Sequence, residues 1–478
     1  MEENQNKLPS DNPQPTPPRR RRKRTKWQNF KEAYLPVIIA ALALVLIVTF
    51  IVGSVTRGKT PNTNDPAGTT TAPSIDSSAL LQQEVDMLLK EAEALAAQYD
   101  YEGAMERLST FSAGITSNET LYAKYQEYYE AFSSLVPYNK INEIPNLSFR
   151  LLIADLSRAM GDPDYGTSFN NNYVTTGEFE KILQQLYDNG YMLVSIYDIA
   201  PKTVDADGNV TISQGTIYLP EGKQPLVLTQ VGVNYFTYIV DGDGDGLADK
   251  DGSGFSSRLT LDANGELTNE LVDSLGNVVT GNYDLVTILN DFIEKHPDFS
   301  YQGARATIAV TGYDGLFGYR TDPETKDKIS QEYYEQQIED VKGVIAKLRE
   351  DGYDLACYSY DFADYGSMSA QEISADLELW TQEVKPLLGD VDILVYPYDD
   401  IGNSNLYTGN KYSILHDYGF SYFISKDSSI PAWGQLTNEY ARMMRREVGG
   451  ILMHNSANWY KDLFDASTVL DSNRGFGE

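Results

Sequence analysis

From Ile144 to the C-terminus, short apolar runs alternate with amphipathic helical patterns, and no other feature limits the fold as strongly. The runs are RLLIADL (Arg150–Leu156), MLVSIYDIA (Met192–Ala200), PLVLTQV (Pro225–Val231), ATIAVTG (Ala306–Gly312), DLACYSY (Asp354–Tyr360), DILVYPY (Asp392–Tyr398) and YFISK (Tyr422–Lys426). Apolar residues at three- and four-residue spacing place helices over 176–189, 284–296, 331–351 and 370–388, each before one of these runs. Strands that alternate with helices at this spacing predict a parallel α/β sheet or barrel. Functional groups in such folds sit just past the carboxyl ends of the strands.

The N-terminal part is of another kind. Tyr34 to Thr56 carries no charge and is long enough for a membrane helix, and RRRRKRTK precedes it. The positive-inside rule then puts residues 1–33 in the cytoplasm and the body outside, with 34–56 as an uncleaved signal anchor at the plasma membrane. Residues 57–78 read as a flexible Thr/Pro/Asn/Gly-rich linker. Residues 79–140 read as a small helical stalk whose AxxYDYEGAxxxL stretch is like one tetratricopeptide-type hairpin.

Charge and composition narrow the partners. The first 57 residues hold ten of the 38 Lys and Arg and four of the 69 acids, which leaves 28 bases against 65 acids in the rest. A body that acidic repels phosphate backbones, so nucleic acid is not an expected partner. One cysteine, Cys357, excludes a disulfide framework and a multi-cysteine zinc site. A single cysteine in a large exported body suggests a bacterial surface, and a Gram-positive cell is the expected source. Three histidines, His296, His416 and His454, leave little for metal or general-base chemistry.

Five stretches carry a resemblance: TTGEFEKILQQLYDNGYMLVSIYDIA, PLVLTQVGVNYF, HPDFSYQGARATIAVTGYDGLFGYRTDPET, LREDGYDLACYSYDFADYG and DVDILVYPYDDIGN. In order and spacing they resemble the polysaccharide deacetylase family (NodB-homology, carbohydrate esterase family 4) over about Ile144–Glu478. The resemblance implies a distorted (β/α) barrel of fewer than eight strands over 141–478. It also implies a divalent metal held by an Asp and two His, with a second Asp as base on the metal-bound water. Each signature is replaced. Val231 stands for the base, Gly232 for the metal-binding Asp, and Tyr358 and Phe362 for the two His. Val, Gly and Phe offer no ligating side-chain atom and a neutral Tyr is a poor zinc ligand, so no catalytic zinc is expected. Arg150 falls where relatives carry a His.

The expected protein is therefore a membrane-anchored pseudoenzyme that binds cell-wall glycan or a surface protein. One alternative is an active carbohydrate N-deacetylase with a site rebuilt from Asp361, Asp399, Asp400 and His454. Another is a scaffold that recruits partners through the helical stalk. Tyr358, Tyr360, Tyr396, Tyr398 and Trp433 are candidate sugar-stacking residues. TGYDGLFGYRT reads as a structural loop over the barrel mouth. Within an insert spanning 239–282, Asp241, Asp243, Asp245, Asp249 and Asp251 have the spacing of a calcium loop over 241–252, although Gly252 replaces the usual bidentate Glu. Asn264-Gly265 and Gly276-Asn277 mark a β-hairpin behind it.

Overall fold

The computed structural model describes residues 77–205, 210–242, 247–326, 328–402, 405–426 and 430–476. The basic tail, the apolar segment 34–56 and most of the linker lie outside the described residues, as do Asp243 and Asp245. Among the described residues no helix is long and apolar enough to cross a membrane. Residues 76–478 form one compact unit.

Seven parallel strands close into a barrel. They are β1 (Asn146–Phe149), β2 (Gln224–Val231), β3 (Thr307–Val310), β4 (Asp354–Cys357), β5 (Ile393–Val395), β6 (Tyr422–Lys426) and β7 (Ala441–Glu447). Each pairs with the next, β2 pairs with β3, and β7 pairs back with β1, so the ring runs in chain order. The order leaves no open edge in the ring. Tyr191–Leu193 adds a short strand beside β2, and Gly434–Leu436 lies antiparallel on β7.

Side chains alternate as the two-residue period demands. Leu147, Phe149, Leu226, Leu228, Ile308, Val310, Leu355, Cys357, Leu394 and Phe423 face outward into the core shared with the helices. Val227, Val231, Ala309, Ala356, Tyr358, Ile393, Val395, Tyr422, Ile424, Ala441 and Met443 fill the interior. The helices cover the outer face for the reasons their sequences give. In α4 (Thr176–Asp188), Thr175 and Glu178 form a capping box and Phe179, Ile182, Leu183 and Leu186 make one buried stripe. Three earlier helices, α1 (Ser77–Ala96), α2 (Tyr101–Ser109) and α3 (Glu119–Ser133), pack around their own apolar cluster.

Several boundaries differ from the sequence reading. The first barrel strand is Asn146–Phe149, and the run after it, 150–155, is a loop pinned where Asp284 accepts the Leu152 N–H at 2.9 Å, with Leu156 opening a short helix. Met192–Ala200 is strand only to Leu193, because Ser195 caps a short helix over Ile196–Ile199. Helix 370–388 breaks after Leu379 into a π turn, Trp380–Val384, just before Pro386 removes a backbone donor. GILMHN is helical, whereas β7 is the polar-looking run before it. The insert is a three-stranded meander, 258–261, 267–272 and 278–281. Gly265 and Gly276 take positive φ at its two turns.

Candidate functional site: the carboxyl end of the barrel

The four substituted positions meet at the barrel mouth, and aromatic rings fill the space. Gly232 has φ +67°, and a side chain added there would start 3.7 Å from Phe236 and 3.9 Å from Phe362. The Phe362 ring lies 5.4 Å from Phe236 and 5.8 Å, edge to face, from Tyr358. Tyr358 is buried beneath them. Burial pushes its hydroxyl above the ordinary tyrosine range in spite of nearby Arg445 and Arg150, so the phenol stays neutral. Beside this plug a small, partly open cleft of about 20 Å³, room for a water molecule, is lined by Ser148, Arg150, Asn172, Val231, Glu447 and Gly449 among others.

The plug continues outward as an aromatic surface. Phe236 stacks on Tyr238 at 5.6 Å and approaches Tyr313 at 6.1 Å, and Tyr165 lies 5.1 Å from Tyr238. Tyr165, Tyr238 and Tyr313 are each more than two-fifths exposed. The sequence reading did not single out these three. Tyr313 belongs to the TGYDGLFGYRT loop, whose Gly312 lets the Tyr360 ring lie where a Cβ would stand.

The interior beside the plug is charged. The fully buried Arg445 donates to Ser148 Oγ at 3.1 Å, to the Tyr396 carbonyl at 3.0 Å and to Glu447 at 3.0 Å. Lys426 pairs with the same Glu447 at 2.6 Å, and Arg150 approaches it at 3.9 Å. Burial alone would raise the Glu447 carboxyl, yet Arg445, Lys426 and Arg150 bring it down to about 2. By alternation, the polar side of β1 and β7 faces inward here: Asn146, Ser148 and Arg150 on one, Arg445 and Glu447 on the other.

The residues considered for a rebuilt site do not converge. Asp361 is exposed, and the carboxylate behind its loop is that of Asp376, which accepts the backbone N–H groups of Tyr360 and Asp361 and the Tyr365 hydroxyl. Asp399 is exposed and its carbonyl takes the Gly366 N–H. Asp400 is engaged by Arg442 at 2.6 Å and by Ser425 at 2.7 Å. Arg442 in turn lies over the rings of Tyr407 and Trp433, at 3.8 and 4.9 Å. His454 is exposed on its helix, hydrogen-bonded to Asn455 and set against Phe476. Among the described residues no three His, Cys, Asp or Glu side chains are placed to hold a metal ion.

Of the remaining stacking candidates, Tyr396 is fully buried, Tyr360 is half-buried with its hydroxyl on Glu383, and Trp433 is half-buried on Arg442. Tyr398 is 56% exposed and open to a ligand. In the calcium-type loop, Asp249 accepts backbone N–H groups from Gly242 at 3.2 Å and Asp251 at 2.7 Å, while Asp251 pairs with Lys250. Asp241 is half-buried at the loop's start.

No family model matches the chain, and no curated protein does. Among solved structures, the Streptococcus pyogenes deacetylase PplD in complex with acetate is similar at 13% identity over 66% of this chain and 94% of its own, with a TM-score of 0.34. A 4-alpha-glucanotransferase from Thermococcus litoralis is similar at 7% identity over 38% of this chain and 27% of that one, with a TM-score of 0.22. The fold rests on the strand pairing itself. A closed parallel barrel of seven strands agrees with the fewer than eight that the resemblance to polysaccharide deacetylases implies.

Proposed function

We propose that the chain is a non-catalytic glycan-binding protein, built on a deacetylase-like barrel and anchored through residues 34–56 with its body outside a bacterial cell. The observation that carries the reading is the aromatic plug. The rings of Phe236 and Phe362 lie against Gly232, and Phe362 packs edge to face on the buried Tyr358, so aromatic carbon stands where the resemblance would put a metal and an acetamido group. Deacetylation needs a water activated on a metal, or an equivalent base, at that point. Two of the buried or half-buried acids nearby are spent on structure, Asp376 on backbone amides and Asp400 on Arg442, and Asp361 is turned to solvent. A sugar would instead lie on the outer rings of Tyr165, Tyr238 and Tyr313, which offer flat apolar faces to the C–H face of a pyranose.

The test is acetate release from chitooligosaccharide by the full-length chain, with and without added zinc, alongside a binding titration of the same sugar. Binding without release is expected. Release that zinc promotes and a chelator removes would overturn the reading in favour of a rebuilt site.

A further inference from the structure

The inward-facing groups at the barrel mouth do not balance. Arg150, Lys426 and Arg445 all converge on Glu447, and no second carboxylate of the described residues is paired with any of them. Burying Arg445 needs one partner, and Glu447 at 3.0 Å provides it. The other two cations exceed that need, in a body where acids outnumber bases by more than two to one. They also differ from Arg445 in access. The side chains of Arg150 and Lys426 are 39% and 46% exposed, while that of Arg445 has no exposure.

Arg150 is the less committed of the two. Among the described residues its side chain makes no hydrogen bond; it lies 5.7 Å from the Tyr173 ring and 3.9 Å from Glu447, beside the cleft that Asn172 and Gly449 line. A guanidinium has five donors in a planar fork that matches the two oxygens of a carboxylate or phosphate. Tyr238, the centre of the exposed aromatic surface, is close enough to interact with its charge.

We propose that the barrel mouth binds an oxyanion carried on a sugar, a carboxylate or a phosphate, with Arg150 and Lys426 as its contacts and Tyr238 under the ring. This deepens the glycan-binding reading and rests on it. Arg445 serves as a fixed charge behind the two contacts. A charge-assisted hydrogen bond of this kind corresponds to about a tenfold or larger gain in affinity.

The experiment is calorimetric titration of the full-length chain, in detergent micelles at low salt, with trigalacturonate, neutral chitotriose and inorganic phosphate. The wild type should bind trigalacturonate or phosphate at least about tenfold more tightly than chitotriose. Arg150→Gln should abolish that preference and Lys426→Gln should reduce it, with thermal unfolding checked for each. Tyr238→Ala should weaken both sugars alike. Displacement of trigalacturonate by phosphate assigns the site to either oxyanion, and binding of only one assigns it to that one. If the wild type binds both sugars equally and phosphate not at all, the oxyanion is overturned while the glycan reading stands. A preference that persists in both charge variants also overturns it. If no probe binds, both readings fall.

Discussion

Asp284 shows how one residue ties the barrel to its insert. It is fully buried at the start of α5 (Leu285–Lys295), and one carboxylate oxygen accepts from the N–H groups of Leu152 and Leu285 and from Gln230. The other accepts from the Tyr235 hydroxyl at 2.6 Å, which itself accepts from Asn269 of the meander. Burial pushes the carboxyl up to about 6 although these hydrogen bonds pull it down. An acid whose folded pKa lies above its unfolded value of 3.8 binds a proton in the folded state that the unfolded chain has already lost. This contribution therefore stabilises the fold below about pH 4 and is lost as pH rises through about 6. The two-unit difference corresponds to about 3 kcal/mol. Asp284→Asn should remove that component, so urea midpoints at pH 4 and pH 7 should differ less in the variant than in the wild type. Equal differences in the two proteins would sink the assignment.

Elements with an apolar outer face and an apolar inner face were legible. YFISK is β6 residue for residue, and Gln331–Asp351 is the long helix α6. The strands β1 and β7 were not, and the reason is chemical. NLSF alternates apolar residues with Asn146 and Ser148, and ARMMRRE carries three Arg: the polar residues of β1 and Arg445 point into the barrel, while Arg442 and Arg446 are buried on its outer side under loops, on Asp400 and Asp462. A pattern of that kind reads as a surface segment unless a polar interior is already suspected. The aromatic plug was half legible: the lost motif positions named Val231, Gly232, Tyr358 and Phe362, while Phe236, Tyr238 and Tyr313 reach the same place through loop turns that no spacing rule encodes.

The C-terminal segment is an element whose hold on the fold can be measured. Arg474, fully buried, binds both oxygens of Glu178 at 2.6 Å, and Glu178 also closes the capping box of α4. Removing one partner of a buried pair leaves the other charged and unsolvated, a loss of about 3–5 kcal/mol. Arg474→Ala should therefore destabilise by that amount in denaturant titration, and a change below 1 kcal/mol would refute the latch. For the insert loop we propose calcium binding by Asp241, Asp243, Asp245, Asp249 and Asp251, with weak affinity suited to an extracellular site. Asp249→Asn should weaken calcium uptake measured by calorimetry. A wild-type chain that takes up no calcium at millimolar concentration would end the proposal.

At the scale of the whole compact unit, the N-terminal helices and the functional surface lie at opposite ends of the barrel. The helices join it through segments that precede strands. Val136–Tyr138 pairs antiparallel with Ile217–Leu219 ahead of β2, and the Gln302 N–H reaches the Gln98 carbonyl at 2.7 Å ahead of β3. Phe132 meets Tyr218 at 5.8 Å on the same side. The helices enclose eight buried apolar side chains of their own, too small a core to hold a three-helix unit unaided. They must draw stability from the barrel, so helices and barrel should unfold together. Scanning calorimetry of the full-length chain should show one transition for this unit. Phe132→Ala should lower that single transition by about 1–2 kcal/mol, less than the 3–5 of a fully buried Phe because its ring is half-buried. Sugar binding should not change, since the docking surface is at the end away from Tyr238 and Arg150. A separate early transition for the helices would mean that they are an independent module, and a loss of sugar affinity in Phe132→Ala would mean that the two ends are coupled through the barrel.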